Sequence, residues 1–198
     1  KKFDVIIHLR SSFNNKKGTI ICDPVKYFQN RNKNREAERM EEIVVSGVTL
    51  NKSEAKITIC DVPDKPGLAA RIFKGISNQG VNVDMIVQNT SRDRITDISF
   101  TVPRQMLKAA LTATRKISRQ IKAGAVFADT DVARVSIVGV GMRTHPGVAA
   151  KMFEALARSR INIEMISTSD ISISCIIKKK YAERAVRAIH KKFTLEKR

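Results

Sequence analysis

The sequence predicts an α+β protein built as two copies of a β-α-β-β-α-β unit packed side by side, each with its helices on one face of an antiparallel sheet. Three observations lead there. The chain repeats itself: Pro66-Gly67-Leu68-Ala69-Ala70-Arg71-Ile72-Phe73 falls on Pro146-Gly147-Val148-Ala149-Ala150-Lys151-Met152-Phe153. At the same offset and without a gap, Val81-Asn82-Val83-Asp84-Met85-Ile86 falls on Ile161-Asn162-Ile163-Glu164-Met165-Ile166, a match too long to be chance. Each copy also shows the same succession of periodicities, and 42% hydrophobic residues in a chain of 198 supply material for real cores.

In chain order, the strand-like runs Phe3 to Leu9 and Thr19 to Cys22 flank a Ser/Asn/Lys/Gly turn, and a polar stretch, 25–41, reads as a linker. Ile43 to Thr49 has strand character but no partner nearby. The first copy then opens with a strand at Lys56 to Cys60, and a helix follows Pro66 with Leu68, Ile72 and Ile76 on one face. Strands at Val81 to Gln88 and Thr96 to Val102, a helix at Gln105 to Ser118 and a closing strand at Ala125 to Ala128 complete it. The second copy runs through strand Arg134 to Val140, a helix carrying Val148, Met152 and Leu156, strands Ile161 to Thr168 and Ile171 to Ile177, and helix Tyr181 to Lys192. Only Phe193 to Leu195 remain for its last strand, so the segment 42–55 is available to supply the missing edge. The expected boundaries are 1–24, 25–41, 42–55, 56–131 and 132–198, the last two being ferredoxin-like modules.

The charge, 37 Lys+Arg against 19 Asp+Glu for a net +18, raises a polyanionic partner. The cations are scattered, apart from Lys178-Lys179-Lys180 and the 31–39 stretch, and are read as solvated faces; no nucleic-acid or membrane partner is expected. No apolar run approaches the ~20 residues of a membrane span and no signal-peptide pattern opens the chain, so a cytoplasmic protein is expected. The chain begins at Lys1 inside a strand-like stretch, which suggests a fragment of something longer. Cys22, Cys60 and Cys175 lack metal-ligand spacing and read as free thiols. No phosphate-binding loop, nucleophile elbow or HExxH is present, and His8, His145 and His190 lie far apart, so neither a catalytic residue nor a metal site is expected on this chain.

The informative segment is Asp64-Lys65-Pro66-Gly67-Leu68-Ala69-Ala70, where a strand ends and a helix starts on small residues. The N–H groups around Gly67 to Ala69 would face outward at the positive end of that helix, a seat for a carboxylate. Asp64 beside them could pair with an ammonium group, and the two together describe a free α-amino acid. The same residues also fit a plain helix start, with Asp64 as N-cap, Pro66 in the first turn and Gly67 in the turn, and the pattern alone does not choose. Asn82, Gln88 and Asn162 place amides in otherwise apolar strands. If the copies pack about a pseudo-twofold axis, Asn162-Ile163 would reach a ligand held by Asp64 to Ala69, and Asn82-Val83 would face the loop 144–147. Asn82 and Asn162 equally fit residues that merely turn the chain.

With these residues in view a family becomes recognisable. Lys52-Ser53-Glu54-Ala55-Lys56, Asp64-Lys65-Pro66-Gly67, Asp84-Met85-Ile86-Val87-Gln88-Asn89, Thr96-Asp97-Ile98-Ser99-Phe100, Gly141-Met142-Arg143-Thr144-His145-Pro146-Gly147 and Asn162-Ile163-Glu164-Met165-Ile166-Ser167-Thr168-Ser169 resemble the tandem ACT modules of aspartate kinases. Arg10-Ser11-Ser12-Phe13 and Gly18-Thr19-Ile20 resemble the last strands of that family's amino-acid-kinase domain, which would make 1–24 its tail. The resemblance implies a regulatory region that binds lysine, threonine or both and inhibits ATP- and Mg-dependent phosphorylation of aspartate by a kinase domain not contained here, with no cofactor of its own. It implies effector contacts at Asp64, Gly67, Ala69, Asn82, Val83, Asp84, Gln88, Asn162 and Ile163, with Ser169 near a second, pseudo-symmetric site. Ala149 stands where many relatives have threonine, so that second site is expected to be weakened or selective. A homodimer, or a small subunit beside a kinase-containing chain, is the expected assembly. Two rivals remain: an ACT pair from another amino-acid-responsive protein, and an RNA-binding module of the same topology, which would need stacking aromatics where only Phe100 sits mid-strand.

Overall fold

The computed structural model describes residues 7–10, 19–21, 45–89, 94–139, 146–193 and 195. The expected linker 25–41, the 31–39 basic stretch, Ser11-Ser12-Phe13, Cys22 and the 140–145 loop with His145 lie outside them. The chain divides into two compact units, Lys1–Ile43 and Val44–Arg198. Of the first, the described part is an antiparallel pair, β1 (Ile7–Leu9) and β2 (Thr19–Ile21), with Ile7 opposite Ile21.

In the second unit, β3 (Gly47–Asn51) precedes β4 (Glu54–Pro63), α1 (Leu68–Ser77), β5 (Ile86–Gln88), β6 (Ile95–Pro103), α2 (Leu107–Ile121) and β7 (Val126–Asp129). Then follow β8 (Val132–Val138), α3 (Val148–Arg158), β9 (Met165–Thr168), β10 (Ser172–Lys178) and α4 (Ala182–Lys192). A four-stranded antiparallel sheet in the order β5-β6-β4-β7 makes the first module. The second sheet runs β3-β8-β10-β9, with Gly47 opposite Val138 and Asn51 opposite Arg134. Its fourth position is therefore filled by a strand that precedes the first module, while Phe193 ends α4 in a turn.

Two separate cores follow from this layout. Ile57, Ile59 and Phe100 of one sheet pack under Ile72 and Ile76 of α1 and Ala110 and Ile117 of α2, with Phe73 edge-on to Phe100 at 5.5 Å between ring centroids. At Gly75 an added Cβ would collide with Ile117, so glycine lets α1 and α2 approach closely. The second core gathers Val135, Ile137, Cys175 and Ile177 under Met152, Leu156 and Ile189, with Val45 buried beside them. Burial pushes the Cys175 thiol up to about 12, so it remains a thiol within this core.

The duplication extends to contacts. Thr58 Oγ1 meets Ser99 Oγ at 2.9 Å between the first and third strands of one sheet, and Ser136 Oγ meets Ser174 Oγ at 2.7 Å in the other. The modules face each other through Met85 and Met165, packed with Val132 and Ile176. Around this apolar centre the ion pairs are reciprocal. Lys56 of β4 pairs with Glu164, and Arg134 of β8 pairs with Asp84, each partner lying just before the other module's second strand. Lys178 joins the seam by contacting Asp129 at 2.6 Å and Glu164 at 3.2 Å.

Candidate functional site

The candidate pocket arises because β4 is not a regular strand. Its register against β6 shifts between Ile59 and Val62, where Asp61 takes a left-handed φ of 51° and donates its N–H to Asp97 Oδ1 at 3.1 Å. The bulge is held from the other side by Gly124, whose N–H reaches the Cys60 carbonyl at 2.8 Å; a Cβ there would press on Asp61. Burial, with Asp97 and Asp61 adding their charges, raises the Cys60 thiol above its usual range. Beyond the bulge the backbone is pinned again, with Asp64 N–H donating to the Arg94 carbonyl at 2.8 Å and Lys65 N–H to the Pro63 carbonyl at 3.0 Å.

Gly67 then turns the chain into α1 with φ 89°. Its counterpart Gly147 opens α3 with the same φ of 89°, a left-handed geometry that glycine adopts without a Cβ penalty. The N-cap is Gly67, and no side chain caps α1, which overturns the alternative that made Asp64 the cap. Asp64 is exposed, and its carboxylate makes no hydrogen bond or ion pair among the described residues. The first-turn N–H groups of a helix have no acceptor within it, and there is no acidic residue in this first turn. Loop 62–69, Gln88 of β5 and Ile98 of β6 line a cavity of about 450 Å³ at this helix start.

Asp64, Gly67, Ala69 and Gln88 thus share one pocket. The other residues singled out from sequence lie elsewhere. Val83 packs against the first core, and Asn82 and Asp84 line a different cavity between the modules. Asn162 is exposed, Ile163 packs against the second core, and Ser169 Oγ pairs with Ser172 Oγ at 2.8 Å. Within the chain, Met85 and Met165 pack together and bring the two second strands toward each other, and residues 140–145 of the loop expected to face Asn82-Val83 lie outside the described residues. Asn162 and Ile163 are absent from the lining of the Asp64 pocket. Sequence reasoning missed Glu54 and Arg134, joined at 2.8 Å. The signal available was that Glu54 falls on apolar Val132 when the hydroxyl pairs of the two copies are superposed.

Among the described residues, no group of three His, Cys, Asp or Glu side chains is placed to hold a metal ion. No described helix is long and apolar enough to cross a membrane. Phe100, the aromatic an RNA-binding surface would need, is fully buried.

Comparison with known proteins places these features. ACT domain models match residues 56–119 and residues 135–193, one in each module. An aspartate kinase of Pseudomonas fluorescens is 47% identical over 195 residues, covering 98% of this chain and 45% of that protein. An aspartokinase of Helicobacter pylori is 42% identical, covering 99% of this chain and 46% of its own length. The solved regulatory subunit of aspartate kinase from Thermus thermophilus, in its ligand-free form, superposes with a TM-score of 0.73 at 41% identity, covering 76% of this chain and 99% of that subunit. A solved structure of aspartokinase alpha and beta subunits contains a chain with a TM-score of 0.71 at 45% identity, again covered to 99%. The chain spans less than half the length of the full aspartate kinases it matches. It belongs to the aspartate kinase family, of which it carries the tandem-ACT regulatory region.

Proposed function

We propose that this chain senses an end-product amino acid, lysine or threonine, and restrains the ATP- and Mg-dependent phosphorylation of aspartate by the kinase domain of its parent protein. The observation that carries the reading is the convergence of Asp64, Gly67, Ala69 and Gln88 on one cavity at a helix start, in a chain of this regulatory family. The effector's carboxylate sits against the first-turn N–H groups of α1, where the helix dipole favours an anion. Asp64 accepts from its ammonium group, and the Gln88 amide reads the polar side of the ligand. A second copy of the chain brings Asn162 and Ile163 over the open side. The edge strands support such pairing, since β5 and β9 close their sheets with Ile86 and Ile166 exposed. Occupancy of the pocket changes the kinase rate only through a differential affinity for active and inhibited states.

Calorimetry with lysine and with threonine, alone and together, tests this, with the mass followed by light scattering and expected to be dimeric. Asp64→Ala removes a charge-assisted hydrogen bond and should weaken binding by roughly ten- to a hundredfold, about 1.5 to 3 kcal/mol. Because Asp64 caps nothing, its loss should leave the melting temperature unchanged. Unaltered affinity in the folded variant would remove Asp64 from the site.

A further inference from the structure

A second cavity, of about 740 Å³, opens beside the seam between the modules and shares no lining residue with the Asp64 pocket. Glu54, Asp84 and Asn82 line it together with Lys52, Arg104 and Lys179. Glu54 is only 3% exposed. Its Oε1 accepts from Arg134 Nη2 at 2.8 Å and from Asn51 Nδ2 at 2.9 Å, and its Oε2 is buried without a hydrogen-bond partner. Nη1 of the same arginine holds Asp84.

A buried carboxylate oxygen without a donor is destabilising, and folded proteins rarely leave one in that state. The internal repeat shows that the fold does not require it. Superposing the hydroxyl pairs puts Glu54 on Val132 and Thr101 on Ile176, and both apolar residues pack into the Met85–Met165 cluster. One copy closes the position with aliphatic side chains; the other keeps a carboxylate at a cavity. Around that cavity Lys52 is engaged by Glu183, whereas the Arg104 and Lys179 side chains form no ion pair among the described residues. A metal cation would be repelled by Lys52, Arg104, Lys179 and Arg134. A simple anion would leave Glu54 Oε2 without a donor. A ligand that satisfies both ends carries both charges.

We infer that the cavity between the modules is a second binding site for a free α-amino acid, its ammonium taken by Glu54 Oε2 beside Asp84 and its carboxylate by Arg104 and Lys179. This goes beyond the effector pocket proposed above and uses none of its residues. Calorimetry on the full 198-residue chain, with each of the twenty common L-amino acids as titrant, provides the test, run first in Asp64→Ala to weaken the other pocket. At least one amino acid should bind that variant, and Arg104→Ala/Lys179→Ala added to it should weaken the binding roughly ten- to a hundredfold. Glu54→Gln should do the same, and where it fails to fold the Arg104→Ala/Lys179→Ala variant, which changes only the cavity wall, decides alone. No binding by Asp64→Ala, or binding that keeps its affinity when Arg104 and Lys179 are replaced, would overturn the proposal. Either result leaves the Asp64 pocket to stand or fall on the wild-type titrations.

Discussion

Burial is the largest influence on the Glu54 carboxyl and pushes it above its usual 4.5; Arg134 pulls it down, Asp84 raises it, and the Asn51 amide lowers it, with the net shift upward. A carboxyl raised in the folded state contributes stability that is fully present below pH 4.5 and is lost as pH rises through its folded value. Glu54→Gln removes this titration. Urea midpoints between about pH 4 and pH 7 should therefore show the variant gaining on the wild type as pH rises, and parallel curves would contradict the assignment. At this scale the sequence was informative wherever a site lay within one short segment. Asp64, Gly67 and Ala69 are neighbours in the chain, and the strand-to-helix turn that joins them has a recognisable composition. Asn82 and Asp84 line the cavity between the modules, which the sequence did not reveal, because residues 81–85 form no regular strand and counting along an extended chain does not show where their side chains go. Glu54 was missed because its only anomaly, a carboxylate at an apolar position of the repeat, shows once the two copies are superposed in space.

Among the elements, β3 is the least conventional. It is only five residues long, yet it supplies an entire edge of the second sheet, with Val48 packed on that module's core. A charge at this position must either be desolvated or expel the strand. Val48→Asp should cost about 2 to 4 kcal/mol, and hydrogen exchange should report faster opening of β8, β10 and α4 than of β4 and β6. Equal loosening of both modules would show that β3 is not a local part of the second. The helices were legible from their four-residue spacings, and Val148, Met152 and Leu156 are all buried. Strand lengths were less so. The sequence suggested second strands from Val81 and Ile161, whereas β5 and β9 start at Ile86 and Met165, with Asp84, Met85 and Glu164 keeping single backbone hydrogen bonds to Thr101 and Ile176 ahead of the regular strands. The bulge at Asp61 left no mark that period-two counting could detect, since it adds a residue to one strand without changing its composition.

For the molecule as a whole, the seam between the modules decides whether two domains behave as one. Arg134 spans it by holding Glu54 and Asp84 together. Arg134→Met should cost about 3 to 5 kcal/mol because it strands a buried carboxylate, and adding Glu54→Gln should restore a large part of that loss. Strictly additive effects in a denaturation cycle would mean that the pair contributes no coupling. Burial pushes the Asp129 carboxyl up, but the hydrogen bonds from Lys178 and the Asp131 N–H, with the Lys178 and Lys56 charges, outweigh it, so the net shift is downward. That contribution is present at neutral pH and is lost as pH falls below the ordinary carboxylate range. The duplication was plain in the sequence, but the face through which the copies meet was not, because ion pairs between distant positions leave no periodic trace. The path of the chain through the pair has a mechanical meaning. The strand β3 forms the outer edge of the second sheet, while the Asp64 pocket lies at the far end of β4 in the first. A pull applied at β3 is delivered to the second module and reaches the first along three routes, the short Lys52-Ser53 link, the Thr130-Asp131 link between β7 and β8, and the seam. Loosening the seam would act as a clutch, leaving the halves coupled through the two short links.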